Sequence, residues 1–207
     1  MEQTPSLTTR LLHGSLAFGI STQLLLSTFM EMPKPGDPRS ALESIGFELH
    51  EVFGILSLLL IVAWFVWLFM RRSEAQPGEL FPWFAATSRR GMFESIQNAW
   101  AAMRARHWPA KTDNTRLARA VHGLGALCAL GMALSGFTVW LGMSEQGQLT
   151  AWAHYILDFH QALANLMWIY VLTHAAMALL HHGRGETTLQ QMFNFRRPQR
   201  IPAEKAQ

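Results

Sequence analysis

Four long apolar runs, almost free of charged residues, dominate this sequence of 207 residues. They cover residues 10–30, 48–70, 118–143 and 157–181. Each is long enough to cross the hydrocarbon core of a bilayer, which takes about 20 residues in helical form. Only 15% of the residues are charged, whereas soluble domains average about 25%. We therefore predict an all-α fold, a four-helix transmembrane bundle that forms one membrane domain over residues 1–207.

The basic residues fall on one side of this predicted topology. Of the 17 Lys and Arg residues, 15 lie in the N-terminal segment, in the long link 71–117 taken with Arg119, and in the C-terminal tail. The two short links contain only Lys34 and Arg39. Such an excess is typical of cytoplasmic segments of membrane proteins. We expect both termini and the long link to be cytoplasmic. The basic pI then reflects topology, and a nucleic-acid partner is not expected.

The long link contains a helical pattern of its own. Phe93, Ile96, Trp100 and Met103 recur at spacings of three and four, which is typical of an amphipathic helix; we predict one over residues 91–108. Two arrangements are open for this helix: it lies on the inner membrane surface, or it packs against the bundle.

The cysteine content limits the kind of cofactor. Cys128 is the one cysteine in the sequence and lies inside an apolar run. An internal disulfide, a Cys-based iron–sulfur or zinc site and a heme attached through a C-x-x-C-H motif are therefore excluded. Any heme bound here must be non-covalent and held by other ligands.

Histidines in the apolar runs are the main candidates for chemistry, because ligand-capable side chains within membrane spans are rare and usually functional. His160 and His174 are 14 residues apart, so they lie about 21 Å apart along one helix and about 40° apart around it. In the predicted topology His13 is level with His174 at the inner side, and His50 is level with His160 at the outer side. We predict two cross-helix pairs, each able to supply both axial ligands of a heme iron, an arrangement that suits electron transfer.

Other interpretations of these residues are open. A proton relay or a zinc site is the main rival, although zinc prefers three or four ligands and each pair supplies two. His122 is an alternative ligand at the inner end. Otherwise it joins Arg119, His181 and Arg184 as a candidate contact for a quinone or a heme propionate.

Three segments resemble the bacterial cytochrome b561 family, which is related to the cytochrome b subunits of nickel–iron hydrogenases. The clearest is the last span, HQALANLMWIYVLTHAAMALLHH, followed by LQQMFNFRRP; the others are LLHGSLAFGI in the first span and HEVFGILSLL in the second. The resemblance implies two non-covalent hemes b with axial ligands at His13, His50, His160 and His174. It also implies electron transfer in a bacterial inner membrane, with quinone as redox partner.

The resemblance leaves the physiological role open. One alternative is oxidation of superoxide with quinone as acceptor, although the outer links contain more acidic than basic residues and an anion is attracted by positive charge. A second is a membrane heme subunit that receives electrons from a soluble dehydrogenase or cytochrome. A heme-free proton or metal transporter is the alternative from a different class. In each case the chain is expected to lie in membrane lipid.

Overall fold

The computed structural model describes residues 5–34, 36–71, 74–84, 86–106, 111–144 and 146–193, and within them the chain is all-helical. The elements in chain order are α1 (Leu7–Leu26), α2 (Ala41–Met70), α3 (Pro77–Leu80), a 3-10 turn (Pro82–Phe84), α4 (Ala86–Arg104), α5 (Lys111–Leu141), α6 (Ala151–Gly183) and α7 (Thr188–Phe193).

Three helices in the described part of the chain are long and apolar enough to cross a membrane: α2, residues 115–141 of α5, and α6. The expectation of an all-helical membrane fold is confirmed. The expectation of four spans is met in part, because α1 is not among the three. The apolar residues of α1 are interrupted by glycines, by hydroxyl-bearing residues and by Arg10, His13 and Gln23. These residues lower the mean hydropathy of the helix.

The helices do not end where the apolar runs end. Helix α2 begins at Ala41 rather than at residue 48, because the Ser40 hydroxyl accepts from the Glu43 N–H at 3.3 Å and the Glu43 carboxylate accepts from the Ser40 N–H at 2.7 Å. This capping box satisfies two backbone donors of the first turn. Helices are ended by hydrogen bonds and capping residues, whereas the predicted bounds followed hydropathy.

The other helix bounds also differ from the predicted ones. Helix α1 ends at Leu26 rather than at residue 30, α5 begins at Lys111 rather than at 118, and α6 begins at Ala151 rather than at 157. Helix α4 covers Ala86–Arg104 in place of the predicted 91–108. Residues 107 and 108 of that prediction lie outside the described residues.

Helices α1, α2, α5 and α6 pack around one core. Helix α1 contacts α2, α2 contacts α5, α5 contacts α6, and α6 returns to α1. Leu24, Ile61, Ala129 and Met167, one from each helix, are at most 8% exposed and form the centre of this core. Many large apolar side chains on the outer faces of the same helices remain exposed, as expected for helices that face lipid.

The two short links meet at one end of the packed helices. Gly147 has φ +78° and lies so close to Pro33 that an added Cβ would collide with the Pro33 backbone. Glycine fits both requirements, since it adopts positive φ freely and has no Cβ. The close contact holds the link after α5 against the link after α1.

The opposite end holds the start of α1 and the end of α2. The Glu74 carboxylate accepts from the Ser6 N–H at 2.9 Å and the Thr9 hydroxyl at 2.8 Å, and it pairs with Arg71 at 3.0 Å. The Trp67 indole donates to the Thr9 hydroxyl at 2.9 Å. The Arg71 and Glu74 side chains are only 7% and 12% exposed. A nearly buried ion pair therefore joins the two helices.

The segment between α2 and α4 packs into the bundle. Leu68, Leu80 and Phe81 form a second buried cluster, and a Cβ on Gly123 of α5 would collide with the Leu80 carbonyl group. Phe81 stacks on Phe65, with ring centroids 6.1 Å apart. The link therefore passes close to both α2 and α5 before α4 begins.

Candidate functional site

Two histidine pairs lie between the helices, and they are the pairs expected from depth. His13 of α1 and His174 of α6 have ring centroids 6.2 Å apart, with planes inclined at 55°. His50 of α2 and His160 of α6 have ring centroids 6.4 Å apart, with planes inclined at 88°. Helix α6 therefore contributes one histidine to each pair.

The separation of the rings suits a metal ion held between them. Metal–imidazole bonds are about 2.0–2.1 Å long, as in zinc sites, and a ring nitrogen lies about 1.1 Å from its centroid, so two imidazoles on opposite sides of one ion have centroids about 6.3 Å apart. The observed 6.2 Å and 6.4 Å agree with this value. Two imidazole rings in direct contact could have closer centroids, and a hydrogen bond between the rings would not require a separation of about 6.3 Å.

The His160 ring is oriented by α5. Its Nδ1 lies 3.0 Å from the Ser135 hydroxyl and 3.1 Å from the Met132 carbonyl oxygen. A carbonyl only accepts, so we assign the proton to Nδ1, which leaves Nε2 with its lone pair. A metal-binding histidine usually donates its other N–H to such a partner, which sets its tautomer and ring orientation.

The backbone around His50 is held by a polar side chain within α1. The Gln23 amide donates to the His50 carbonyl oxygen at 2.8 Å. A Cβ on Gly54 would lie 3.1 Å from the Gln23 nitrogen, and a Cβ on Gly136 would lie 3.0 Å from Cε1 of His160. The two glycines therefore allow close approach of side chains at this pair.

A cavity adjoins the His50–His160 pair and is bounded by residues of α1, α2, α5 and α6. Most of its lining is apolar, and the polar groups besides the two histidines are Gln23, Glu51 and Ser57. A flat, largely apolar macrocycle with polar axial ligands matches this lining, because ligand sites combine apolar walls with a few convergent polar groups.

Two buried ring nitrogens have no hydrogen-bond partner among the described residues, Nδ1 of His13 and Nδ1 of His50. An unsatisfied buried polar group costs about 1–3 kcal/mol. Histidines with such nitrogens lower the stability of the fold, whereas leucine at the same positions would not. These nitrogens therefore indicate a role for the histidines beyond packing. Two imidazoles at each pair, at the separations given above, are a donor set that fits a heme iron.

The His13–His174 pair has two further neighbours. Tyr170 stacks on His174, with centroids 5.5 Å apart and planes inclined at only 14°. His122 meets the edge of His174 at 4.9 Å, and its Nδ1 lies 2.5 Å from the Ala118 carbonyl oxygen. Because two imidazoles on one metal ion need about 6.3 Å between centroids, His13 fits as the partner of His174 better than His122 does.

The other predicted quinone contacts, Arg119, His181 and Arg184, interact with residues outside the two histidine pairs. Arg119 pairs with Glu79 at 2.5 Å, and His181 lies 2.8 Å from the Glu186 carboxylate. Arg184 follows α6, and its backbone N–H is directed to carbonyls of the last turn. Of the four predicted residues, His122 is therefore the one that contacts a histidine pair within the described structure.

Several residues around the pairs were not identified from the sequence. Gln23 and Ser135 are polar residues within apolar helices, and that signal alone marks them as candidates. Tyr170 precedes His174 by one helical turn, so the two share a face. The contact of Gly125 with Tyr170, where an added Cβ would collide with the ring, depends on how α5 and α6 pack and has no local signal.

The comparisons with known proteins agree with the resemblance seen in the sequence. The family model described as prokaryotic cytochrome b561 matches residues 5–195. No curated protein and no solved structure matches the chain. The chain therefore belongs to the prokaryotic cytochrome b561 family, and it is a b-type membrane cytochrome of electron transfer.

Proposed function

We propose that this chain binds two hemes b and carries electrons between the two ends of its membrane domain, with a quinone as redox partner. The observation that carries the proposal is the pair of histidine sites, with ring centroids 6.2 Å and 6.4 Å apart. In this proposal His13 and His174 would hold one heme, and His50 and His160 would hold the other.

Each residue has a defined part in this arrangement. When bound, a b-type heme supplies one-electron redox chemistry at its iron. Two histidines at each site would hold an iron without leaving a protein-free position for another ligand, which would suit electron transfer. Ser135 and the Met132 carbonyl hold the tautomer of His160, and Gln23 holds the backbone of His50. The mostly apolar lining of the cavity at His50 and His160 would limit the access of water to a bound heme.

Helix α6 connects the two sites. His160 and His174 are separated by about 21 Å along the helix, so the sites lie toward opposite faces of a bilayer whose core is about 30 Å thick. We propose α1 as the fourth span, because it runs beside α2 from the Glu74 end to Gln23 at the level of His50. The distribution of basic residues supports an orientation with both termini in the cytoplasm.

The quinone is proposed to bind beside the His13–His174 pair, with His122 as its polar contact. His122 is near the end of the bundle, and its ring touches His174. Reduction of a quinone consumes protons, and an imidazole can both hydrogen-bond a quinone carbonyl and pass on a proton. The support is the position of His122, four residues after Ala118, at the start of the apolar part of α5.

Superoxide oxidation at the other end receives less support from the charges. Lys34 pairs with Glu31 at 2.6 Å, and Arg39 donates to the Glu31 carbonyl oxygen at 3.0 Å. Both basic residues of the short links thus have partners in the same link. A basic vestibule is what would attract an anion, so we place quinone-linked electron transfer first.

Heme content tests the central proposal. The purified chain should contain two hemes per polypeptide, measured by pyridine hemochrome against amino-acid analysis. Replacing His154, an exposed histidine that belongs to neither pair, with alanine should leave that ratio unchanged. One heme or none in the wild-type chain, with the helices intact by circular dichroism, would refute the two-heme proposal.

The quinone site is tested separately by stopped-flow oxidation of the reduced hemes with a soluble quinone analogue. His122→Ala should slow the reaction while the absorption spectrum and heme content remain those of the wild type. His154→Ala is the control, since it changes a histidine far along the chain from this pair. Unchanged kinetics in His122→Ala would remove this residue from the quinone site and leave the heme proposal standing.

A further inference from the structure

Helix α4 presents three different faces. Ser95 is fully buried and Ala99 is 6% exposed, and the helix contacts α5. Four bulky apolar side chains point elsewhere: Phe93, Ile96, Trp100 and Met103 are 60%, 44%, 58% and 56% exposed. Within the described structure the helix therefore packs on the bundle through small residues and leaves its large ones uncovered.

The positions around the helix separate these faces cleanly. At about 100° per residue, the bulky apolar stripe is centred roughly a third of a turn from the Ser95–Ala99 face. The remaining third contains the polar and charged residues Arg90, Glu94, Gln97 and Asn98, all exposed. A helix covered by protein on one side and by water on all others would not need a separate apolar stripe. Three faces suit three surroundings: protein, lipid and water.

Arginines flank the apolar stripe. Arg89 and Arg104 lie near its two ends and are exposed, and the Arg104 guanidinium lies 5.7 Å from the centroid of the Trp100 ring. Arginine side chains lay their apolar stems along a membrane-buried surface and place the charge among the headgroups. Tryptophan has the same preference for the boundary between acyl chains and water.

The helix also begins close to the membrane-crossing part of the chain. Phe81 packs on Phe65, which lies five residues before the end of α2. Phe84, immediately before α4, is 77% exposed. An exposed aromatic residue therefore lies between the end of α2 and the apolar stripe of α4 along the chain.

We propose that the stripe Phe93, Ile96, Trp100 and Met103 docks on the membrane leaflet at the basic end of the bundle, with its flanking arginines on anionic lipid headgroups. The large apolar and cationic surfaces of α4 are those of an interfacial helix, and its buried small-residue face anchors it to α5. Helix α4 is then a lipid-bound element attached to the side of the bundle. This proposal does not depend on heme or quinone binding.

Site-directed spin labelling of the full-length chain tests the docking. Single cysteines are introduced in a Cys128→Ser background: Ile96→Cys and Met103→Cys on the stripe, Gln97→Cys and Asn98→Cys as matched controls on the polar face. The chain is placed one copy per nanodisc, with neutral lipid alone or with a third of the lipid replaced by phosphatidylglycerol. The accessibility of each label is measured to oxygen, which partitions into lipid, and to a water-soluble nickel chelate.

Labels at positions 96 and 103 should show a ratio of oxygen to nickel accessibility several-fold higher than those at 97 and 98, and acidic lipid should widen the difference. Equal nickel accessibility at all four positions would overturn the proposal, because the stripe would then be in water. Shielding of 96 and 103 from both reagents would also overturn it, since protein and not lipid would then cover the stripe. Retention of helical circular dichroism by each labelled variant shows that the comparison is made on folded chains.

Discussion

At the scale of single residues, Gly125 controls the position of an aromatic ring next to the His13–His174 pair. A Cβ at Gly125 would collide with the ring of Tyr170, and Tyr170 stacks on His174. The Tyr170 ring is packed between α5 and α6 and cannot move aside without disturbing the stack. The absence of one side-chain atom on α5 therefore determines the orientation of an imidazole on α6.

Gly125→Ala should therefore alter one heme and spare the other. We expect a shift in the electron paramagnetic resonance g-values and in the midpoint potential of the heme assigned to His13 and His174, because ligand orientation and surroundings tune both. Gly131→Ala is the control on the same helix, since its Cβ would meet only the flexible tip of Leu163 at 3.1 Å. Identical spectra and potentials in the two variants would contradict the link from Gly125 to His174.

The Glu74–Arg71 ion pair predicts a measurable loss of stability. Glu74→Gln leaves the Arg71 guanidinium, 7% exposed, without its carboxylate, and breaking a buried pair costs about 3–5 kcal/mol. Glu79→Gln removes the Arg119 pair, whose side chains are 39% and 45% exposed, and exposed pairs contribute about 0–1 kcal/mol. Unfolding in mixed micelles of increasing SDS fraction should separate the two variants by roughly 3 kcal/mol. Equal losses would show that burial does not govern these pairs.

The same ion pair predicts a dependence on pH. Burial acts to raise the pKa of Glu74, but the hydrogen bonds from Ser6 and Thr9 and the charge of Arg71 outweigh it, so the pKa lies below the ordinary 4.5. A group whose pKa is lowered on folding contributes stability above its unfolded pKa and loses it as the pH falls through the folded value. The stability difference between wild type and Glu74→Gln should thus be constant above pH 4.5 and shrink in more acidic solution. A difference that grew on acidification would reverse this sign.

At the scale of helices, α6 is the element on which both sites depend. It supplies His160 to one pair and His174 to the other, 14 residues apart. The spacing is nearly four full turns, so both side chains leave the same face of the helix. A change of one residue in the spacing would rotate one histidine about 100° away from its partner.

The sharing of α6 predicts how single substitutions group. His160→Ala and His50→Ala should each lose the same heme, and His174→Ala and His13→Ala should each lose the other, because each removes one axial ligand of a pair. Sites about 21 Å apart along a helix are expected to respond nearly independently. Heme content and redox titration of the four variants should give two spectrally matched groups. Loss of heme in His122→Ala but not in His13→Ala would mean that the inner ligand has to be reassigned.

At the scale of the whole molecule, charge and packing predict one orientation. The structure brings the start of α1, the 74–84 segment and α7 to one end and the two short links to the other. In the sequence, 15 of the 17 basic residues belong to the segments that begin, end or connect at this first end, so we expect it to face the cytoplasm.

Reporter fusions check this orientation. A reporter active only in the cytoplasm should be active after Gln207 and silent when inserted within residues 35–40. A reporter active only outside the cytoplasm should give the opposite pattern, which excludes poor expression as the cause of silence. Activity of the cytoplasmic reporter in the short link alone would invert the topology.

Much of this architecture follows from the sequence by itself. Apolar length identifies α2, α5 and α6 as membrane helices, because transfer into lipid depends on composition over about 20 residues. The helical repeat sets the separation of His160 and His174 and, with the alternating direction of spans, their partners His50 and His13. These are local or one-dimensional properties, and no knowledge of packing is needed to derive them.

The tertiary structure decided what depends on contacts between helices. Three findings depend on the relative positions of separate helices. His13, and not His122, has the ring separation from His174 that suits a shared metal ion. Ser135 and Met132 contact the His160 ring, and Glu74 joins the start of α1 to the end of α2. The same holds for α4, whose apolar stripe is visible in the sequence but whose buried face proved to be the one with Ser95 and Ala99. Spacing along a helix says which residues share a face, whereas only packing determines what each face meets.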